Sequence, residues 1–194
     1  MQYPLQLTFK FWALSPQISI ADAQGNLLFY VKQKLFKLKE AITVFADAER
    51  TRPLYYIKAD RIIDFSARYE FTDENGTPIG AVKRQGLKSL WRARYDVFDG
   101  ESVNFTIQEK NPWVKIADAL FQEIPLVGML SGFVFNPAYL VLRADSSVVM
   151  RLEKIPSFFS REFTIKALDT LNTKEEEQVL LSLMMMLLLE KNRG

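Results

Sequence analysis

The densest run of side chains able to do chemistry is cationic: Lys83-Arg84-Gln85-Gly86-Leu87-Lys88-Ser89-Leu90-Trp91-Arg92-Ala93-Arg94. Arginine grips phosphate or carboxylate bidentately, and lysine adds a point charge. Gly86 would let a ligand approach the backbone. Lys83, Arg84, Lys88, Arg92 and Arg94 therefore form the candidate anion site, and an anionic lipid headgroup would suit it. The plainer reading is a solvated hairpin with Arg92, Arg94 and Asp96 facing water. A second basic run, Lys32, Lys34, Lys37 and Lys39, reads most simply as lysines that keep an exposed strand from pairing with a neighbour.

Two absences narrow the chemistry. The chain has no Cys and no His. Thiolate nucleophiles, disulfides, thiolate metal sites and the commonest general base are all missing. Catalysis would fall to carboxylates, Lys, Tyr or a cofactor. The segment Asp96-Val97-Phe98-Asp99-Gly100-Glu101 lacks the spacing of a calcium loop and reads as a turn. Asp60 and Asp64 form no recognisable pair. No glycine-rich phosphate loop and no nucleophile elbow occurs. No catalytic residue, metal ligand or cofactor is expected, so the chain reads as a non-enzyme. Glu175-Glu176-Glu177 is read as a solvated first turn of a helix. The net charge of +2 is too near zero to argue for nucleic acid, and none is expected as a partner. Up to Gly100, 15 Lys and Arg face 11 Asp and Glu, a weak hint of a basic face.

Apolar chemistry is concentrated in two places. In the first, Pro112–Phe121 carries Trp113, Ile116, Ala117, Leu120 and Phe121 at helical spacing, with Asn111 as N-cap, which predicts an amphipathic helix near 112–124. Beyond Pro125, Leu126, Val127, Met129, Leu130, Phe133 and Phe135 form a glycine-punctuated apolar loop. Together with Trp113 it is the candidate contact for a membrane interface or a partner, or a flap over one end of the fold. The second is Val179–Leu189, where Ser182 is the lone polar residue. A helix without a wet face must be enclosed. This one is shorter than the roughly 20 residues a bilayer requires. Thr173-Lys174-Glu175-Glu176 has the form of a capping box that opens it.

The remainder predicts short strands: Gln17–Ala21, Leu27–Lys34, Ala41–Ala46, Leu54–Lys58, Arg68–Thr72, Pro78–Arg84, Trp91–Val97, Val103–Gln108, Tyr139–Arg143, Val148–Glu153 and Glu162–Ala167. Asp-containing turns at Asp22, Asp73, Asp99 and Asp145 punctuate them. The order strand, Asp turn, strand from Tyr69 to Asp99 is echoed from Tyr139 to Asp169. About a dozen twisting strands and one water-averse helix combine best if the sheet closes into a barrel and the helix fills it. Ten buried apolar side chains would supply roughly 15–30 kcal/mol of gross burial, an upper bound.

The run Gly25–Lys39, the segment Asp73-Glu74-Asn75-Gly76-Thr77-Pro78-Ile79-Gly80-Ala81-Val82 and the terminal helix together resemble the tubby C-terminal-like superfamily. The phospholipid-scramblase-like and LURP-one-related proteins are the nearer relatives. The resemblance spans nearly the whole chain and carries no catalytic signature. It implies a single domain over residues 1–194, a closed antiparallel barrel of about twelve strands around the hydrophobic C-terminal helix. It also implies a binding role, since some relatives bind phosphoinositides.

The expectation is a non-enzymatic module for anionic phospholipid or a membrane surface, with no cofactor. A protein-interaction scaffold is the alternative, and a scramblase-like activity or a carboxylate enzyme are the remaining ones. The N-terminus lacks the pattern of a signal peptide, and the absence of Cys permits a reducing compartment. The expected location is cytoplasmic, peripheral at the membrane.

Overall fold

Twelve strands and one helix account for the computed structural model, which describes residues 1–10, 16–32, 41–61, 67–86, 93–110, 138–155, 157 and 160–191. The strands are β1 (Leu5–Lys10), β2 (Gln17–Ala21), β3 (Leu27–Lys32), β4 (Ile42–Phe45), β5 (Pro53–Ala59) and β6 (Arg68–Asp73). They continue as β7 (Pro78–Arg84), β8 (Arg94–Asp99), β9 (Ser102–Glu109), β10 (Ala138–Arg143), β11 (Val148–Ile155) and β12 (Arg161–Ala167). Each pairs antiparallel with its neighbours in sequence, and β1 pairs with β12 to close the barrel. Helix α1 (Thr173–Lys191) follows β12. The helix expected near 112–124 lies outside the described residues.

Alternation sorts the side chains. Leu7, Ile20, Val44, Phe71, Val97 and Ile165 point inward and are inaccessible to water, while their neighbours along each strand face out. The inward side chains meet α1. Nine apolar residues between Val179 and Leu188 are at most 5% exposed. Ser182, the polar exception, donates its hydroxyl to the carbonyl of Gln178 at 2.6 Å. That bond satisfies it within the helix, so it asks nothing of the wall.

The helix is held at its first turn. Asn172 is the N-cap: its Oδ1 accepts from Glu175 N at 2.9 Å, and Glu175 Oε2 accepts from Asn172 N at 2.9 Å. The capping box is thus one residue earlier than the sequence suggests, because Asn competes well for this position.

The three glutamates are not a solvated turn either. Glu175 receives the Arg143 guanidinium at 2.8 Å, Glu176 faces the N-terminal amine at 3.5 Å, and the hydroxyl of Tyr55 hydrogen-bonds Glu177. Gln178 Nε2 donates to Ile79 O at 2.7 Å. Successive helical residues turn by about 100°. Going round the wall from β10, β1 lies three strands on, β5 seven and β7 nine of the twelve. At about 30° per strand, the partners of Glu175, Glu177 and Gln178 sit near 0°, 210° and 270°, against roughly 0°, 200° and 300° for those three residues; the amine that meets Glu176 precedes β1 by four residues. Four consecutive side chains thus fix the rotation of the helix about its own axis.

Contact with the wall is closest at β7. A Cβ at Gly80 would lie 2.6 Å from the carbonyl oxygen of Phe98 and 3.0 Å from Cγ of Gln178. The Gly80→Ala variant should therefore lose about 1–3 kcal/mol through overpacking, read as a lower denaturation midpoint at unchanged slope. Leu183→Asp buries a charge at the barrel axis and should abolish the near-ultraviolet circular dichroism of the folded chain. A well-packed Leu183→Asp protein would contradict the enclosure of α1.

Candidate functional site

Each of the six connections at the end where α1 begins (the N end) contains or directly follows an aspartate: Asp22, Asp47, Asp145 and Asp169 lie within theirs, and Asp73 and Asp99 end the strands before theirs. Asp22, Asp47, Asp73 and Asp145 each accept turn N–H groups, as in Asp73 Oδ1 with Asn75 N at 2.9 Å and Thr77 N at 2.7 Å. Donation to the charged form holds all four below the usual carboxylate range. Gly25 and Gly76 occupy the left-handed position of their turns at φ 85° and 83°, and Ser146 takes it in the third at 69°. In that third turn Arg143 stands where Asp22 and Asp73 stand in the others, its N–H bonded to Ser147 O at 3.0 Å. The repeat therefore delivers a cation to the helix N-terminus. Arg143 also donates to Thr170 O at 3.0 Å and covers the Phe105 ring at 5.3 Å. A cleft of about 340 Å³ opens beside it, lined by Val103, Asn104, Asp145 and Glu175 among others.

The opposite end, where α1 finishes (the C end), has reversed charge. Six of the twelve strand termini there are basic: Lys10, Lys32, Arg68, Arg84, Arg94 and Arg161. Glu109 is the one acidic terminus. Arg68 departs from the group, since its guanidinium runs along the wall to Gly100 O and Glu101. The sequence-predicted anion cluster belongs to this end, and strand alternation divides it. Lys83 faces outward opposite Asp96, and Arg94 is exposed on the neighbouring strand. Arg84 points into the barrel, 6% exposed, 3.5 Å from Glu190 of α1 and 5.9 Å from the centre of the Tyr95 ring. Lys88 and Arg92 lie outside the described residues. So do Trp113, Leu126, Val127, Met129, Leu130, Phe133 and Phe135, in the connection that leaves the C end between β9 and β10. Lys32 has no edge to protect, because the barrel is closed and β3 is paired on both sides.

Residues the sequence did not mark complete the inner side of the C end. The Tyr95 hydroxyl donates a short hydrogen bond to Glu190 Oε1. Burial, that hydrogen bond and the Glu190 charge raise the Tyr95 phenol far above its ordinary range, against the opposing pull of Arg84. Tyr139 is pushed up to about 12, chiefly by burial and then by Glu109 and Glu190, with Arg161 opposing. Arg84, Tyr95, Tyr139 and Glu190 are thus one buried polar cluster from β7, β8, β10 and the last turn of α1. It ties down the helix end that the N-terminal glutamates do not reach. Parity could have found Arg84: in Ile79–Arg84 it shares its face with Val82, whereas Lys83 does not.

Among the described residues no three acidic side chains converge as a metal site, and no helix is long and apolar enough to cross a membrane.

A closed antiparallel barrel threaded by an apolar C-terminal helix places the chain among proteins of the tubby C-terminal-like fold. A profile of the LURP-one-related family matches residues 27–186, and the chain belongs to that family. Among solved structures it is similar to an X-ray structure of a protein from Arabidopsis thaliana, with 18% identity and a TM-score of 0.48 over 98% of this chain and 92% of that one. No curated protein matches it significantly.

Two measurements check the cluster. Arg84→Met leaves Glu190 without its buried cation and should cost less than the about 3–5 kcal/mol of a fully enclosed pair, Glu190 being 24% exposed. Amide exchange should accelerate first in the last turn of α1. The second is alkaline titration. Phenols whose folded pKa is raised stabilise the fold below about pH 10, and that stability is lost as the unfolded chain ionises first. Stability should therefore fall from about pH 10 towards about 12, with phenolate absorbance lagging until the barrel opens.

Proposed function

We propose that this barrel is a non-catalytic module that binds anionic phospholipid headgroups, of the phosphoinositide kind, at a membrane surface. The observation that carries it is the outward pair Lys83 and Arg94 on adjacent strands, at an end whose rim also carries Lys10, Lys32 and Arg161. Lys88 and Arg92 extend this pair in sequence, and Arg84 is assigned to the helix cluster instead. The filled interior supports the non-catalytic part. Side chains of α1 occupy the space in which a barrel of this size would otherwise hold a ligand. A peripheral position on the cytoplasmic leaflet fits, because that leaflet carries the anionic lipid.

A second reading, a protein-interaction module, has one observation in its favour. Tyr30, Phe45 and Tyr56 face outward on β3, β4 and β5, and Tyr56 is 36% exposed.

Flotation with phosphatidylcholine vesicles, with and without phosphoinositide, separates the two. The lipid reading expects co-flotation with the anionic vesicles at low salt. Lys83→Glu with Arg94→Glu should weaken it by about fivefold per charge removed, more for reversal. No binding at low salt ends the lipid reading. Concentration-dependent self-association without vesicle binding favours the second.

A further inference from the structure

The cations of the C end are not gathered on one side of the barrel. Lys10 is on β1, Lys32 on β3 and Arg161 on β12, whereas Lys83 and Arg94 are on β7 and β8. Strands β1 and β7 are six steps apart in a twelve-strand wall, which is diametrically opposite. A flat anionic surface laid against the side of the barrel could touch one of these groups but not the other. Laid across the C end, it touches both. Lys10, Lys32 and Arg94 are exposed and Lys83 is half-buried, so all four can face it.

The acidic groups impose the same geometry. The six aspartates of the N end are joined by Glu74 and Glu101, both exposed. Net charge over the whole chain is only +2, so a side-on approach, which averages the two ends, meets little attraction. The two sets of charges are a strand apart: Arg94 and Asp99 bound the six residues of β8, about 17 Å at roughly 3.4 Å per residue. The screening length at physiological ionic strength is about 8 Å. An end-on approach therefore feels the C-end cations, offset there by Asp60, Glu109 and Glu162, and is screened from the acids of the N end.

We propose that the barrel docks end-on, with the C end against an anionic membrane, the axis of α1 across the membrane plane and the aspartate turns pointing away. This rests on the lipid-surface reading above and adds the docking face and the orientation.

The absence of Cys in the chain allows a single label at each end. Gln17→Cys marks the C end, on β2 opposite Lys10, and Val103→Cys marks the N end at a residue 44% exposed. Each is labelled with an environment-sensitive fluorophore and mixed with phosphatidylcholine–phosphatidylserine vesicles containing a brominated lipid quencher, while co-sedimentation records binding. End-on docking expects quenching at Gln17→Cys and none at Val103→Cys. It also expects Lys10→Glu with Lys32→Glu to weaken sedimentation as much as the pair Lys83→Glu and Arg94→Glu does. Glu74→Gln with Glu101→Gln should change sedimentation less than twofold. Sedimentation with equal quenching of both labels, or with Val103→Cys quenched alone, overturns the orientation and leaves lipid binding standing. Insensitivity to Lys10→Glu with Lys32→Glu also overturns it, since that marks a local patch at β7 and β8. No sedimentation at low salt overturns both readings.

Discussion

A helix apolar on every side has to be surrounded, and the barrel is the device that surrounds it. The dependence is mutual. Twelve strands closed into a ring enclose more space than their inward side chains can fill, and α1 occupies it. Neither element is stable without the other: the open sheet would expose a face of Leu, Ile, Val and Phe, and the helix would expose Leu and Met all round. Strand β1 closes the ring against β12, and α1 follows β12 directly. The two ends of the chain therefore complete the core together, and the six-residue β1 is as necessary to it as the helix. The N-terminal amine, 3.5 Å from Glu176, joins these two ends directly.

An apolar cylinder inside an apolar tube has no inherent orientation, because dispersion contacts are nearly indifferent to rotation and to sliding. Polar groups supply what packing does not. At the N end, residues 175 to 178 each reach a different part of the wall, and Lys174 adds Asp99 at 2.8 Å. At the C end, Glu190 meets Tyr95 and Arg84. Buried polar contacts of this kind gain little net stability, since desolvation offsets much of the attraction. Their value here is registry: every alternative rotation of α1 strands several of them without partners, at a cost of about 1–3 kcal/mol for each neutral group and more for the charges.

Much of this was legible in the sequence, for physical reasons that differ by element. Pro78–Arg84 and Gln17–Ala21 emerge with the boundaries that alternation and turn residues predict. The barrel follows from Val179–Leu189, because an all-round apolar helix too short for a bilayer leaves few other architectures. Strand β1 is not among the strands predicted from sequence, although Leu5-Gln6-Leu7-Thr8-Phe9-Lys10 alternates with period two. The partners of Glu175-Glu176-Glu177 were not legible, since Arg143, Met1 and Tyr55 are remote in sequence and converge only when the ring closes. For the same reason nothing in the sequence marked Glu190, whose partners Tyr95 and Arg84 are equally remote.

The candidate anion site shows how alternation constrains function as well as fold. A cationic run on a strand cannot be one patch, because adjacent residues face opposite ways. Arg84 therefore leaves the group that its neighbours Lys83 and, across the hairpin, Arg94 belong to, and its charge is spent inside on Glu190. What survives on the outside is sparse on any one strand. Its strength comes from the closed topology, which brings the termini of strands far apart in sequence to one rim. The same topology brings an aspartate in or beside each of six connections to the other rim, where Asp22, Asp47, Asp73 and Asp145 satisfy turn N–H groups and Asp99 receives Lys174. The axial charge separation is thus a by-product of building hairpins with Asp at one end while leaving Lys and Arg at the strand termini of the other. A membrane-facing orientation needs nothing further from the fold than that asymmetry.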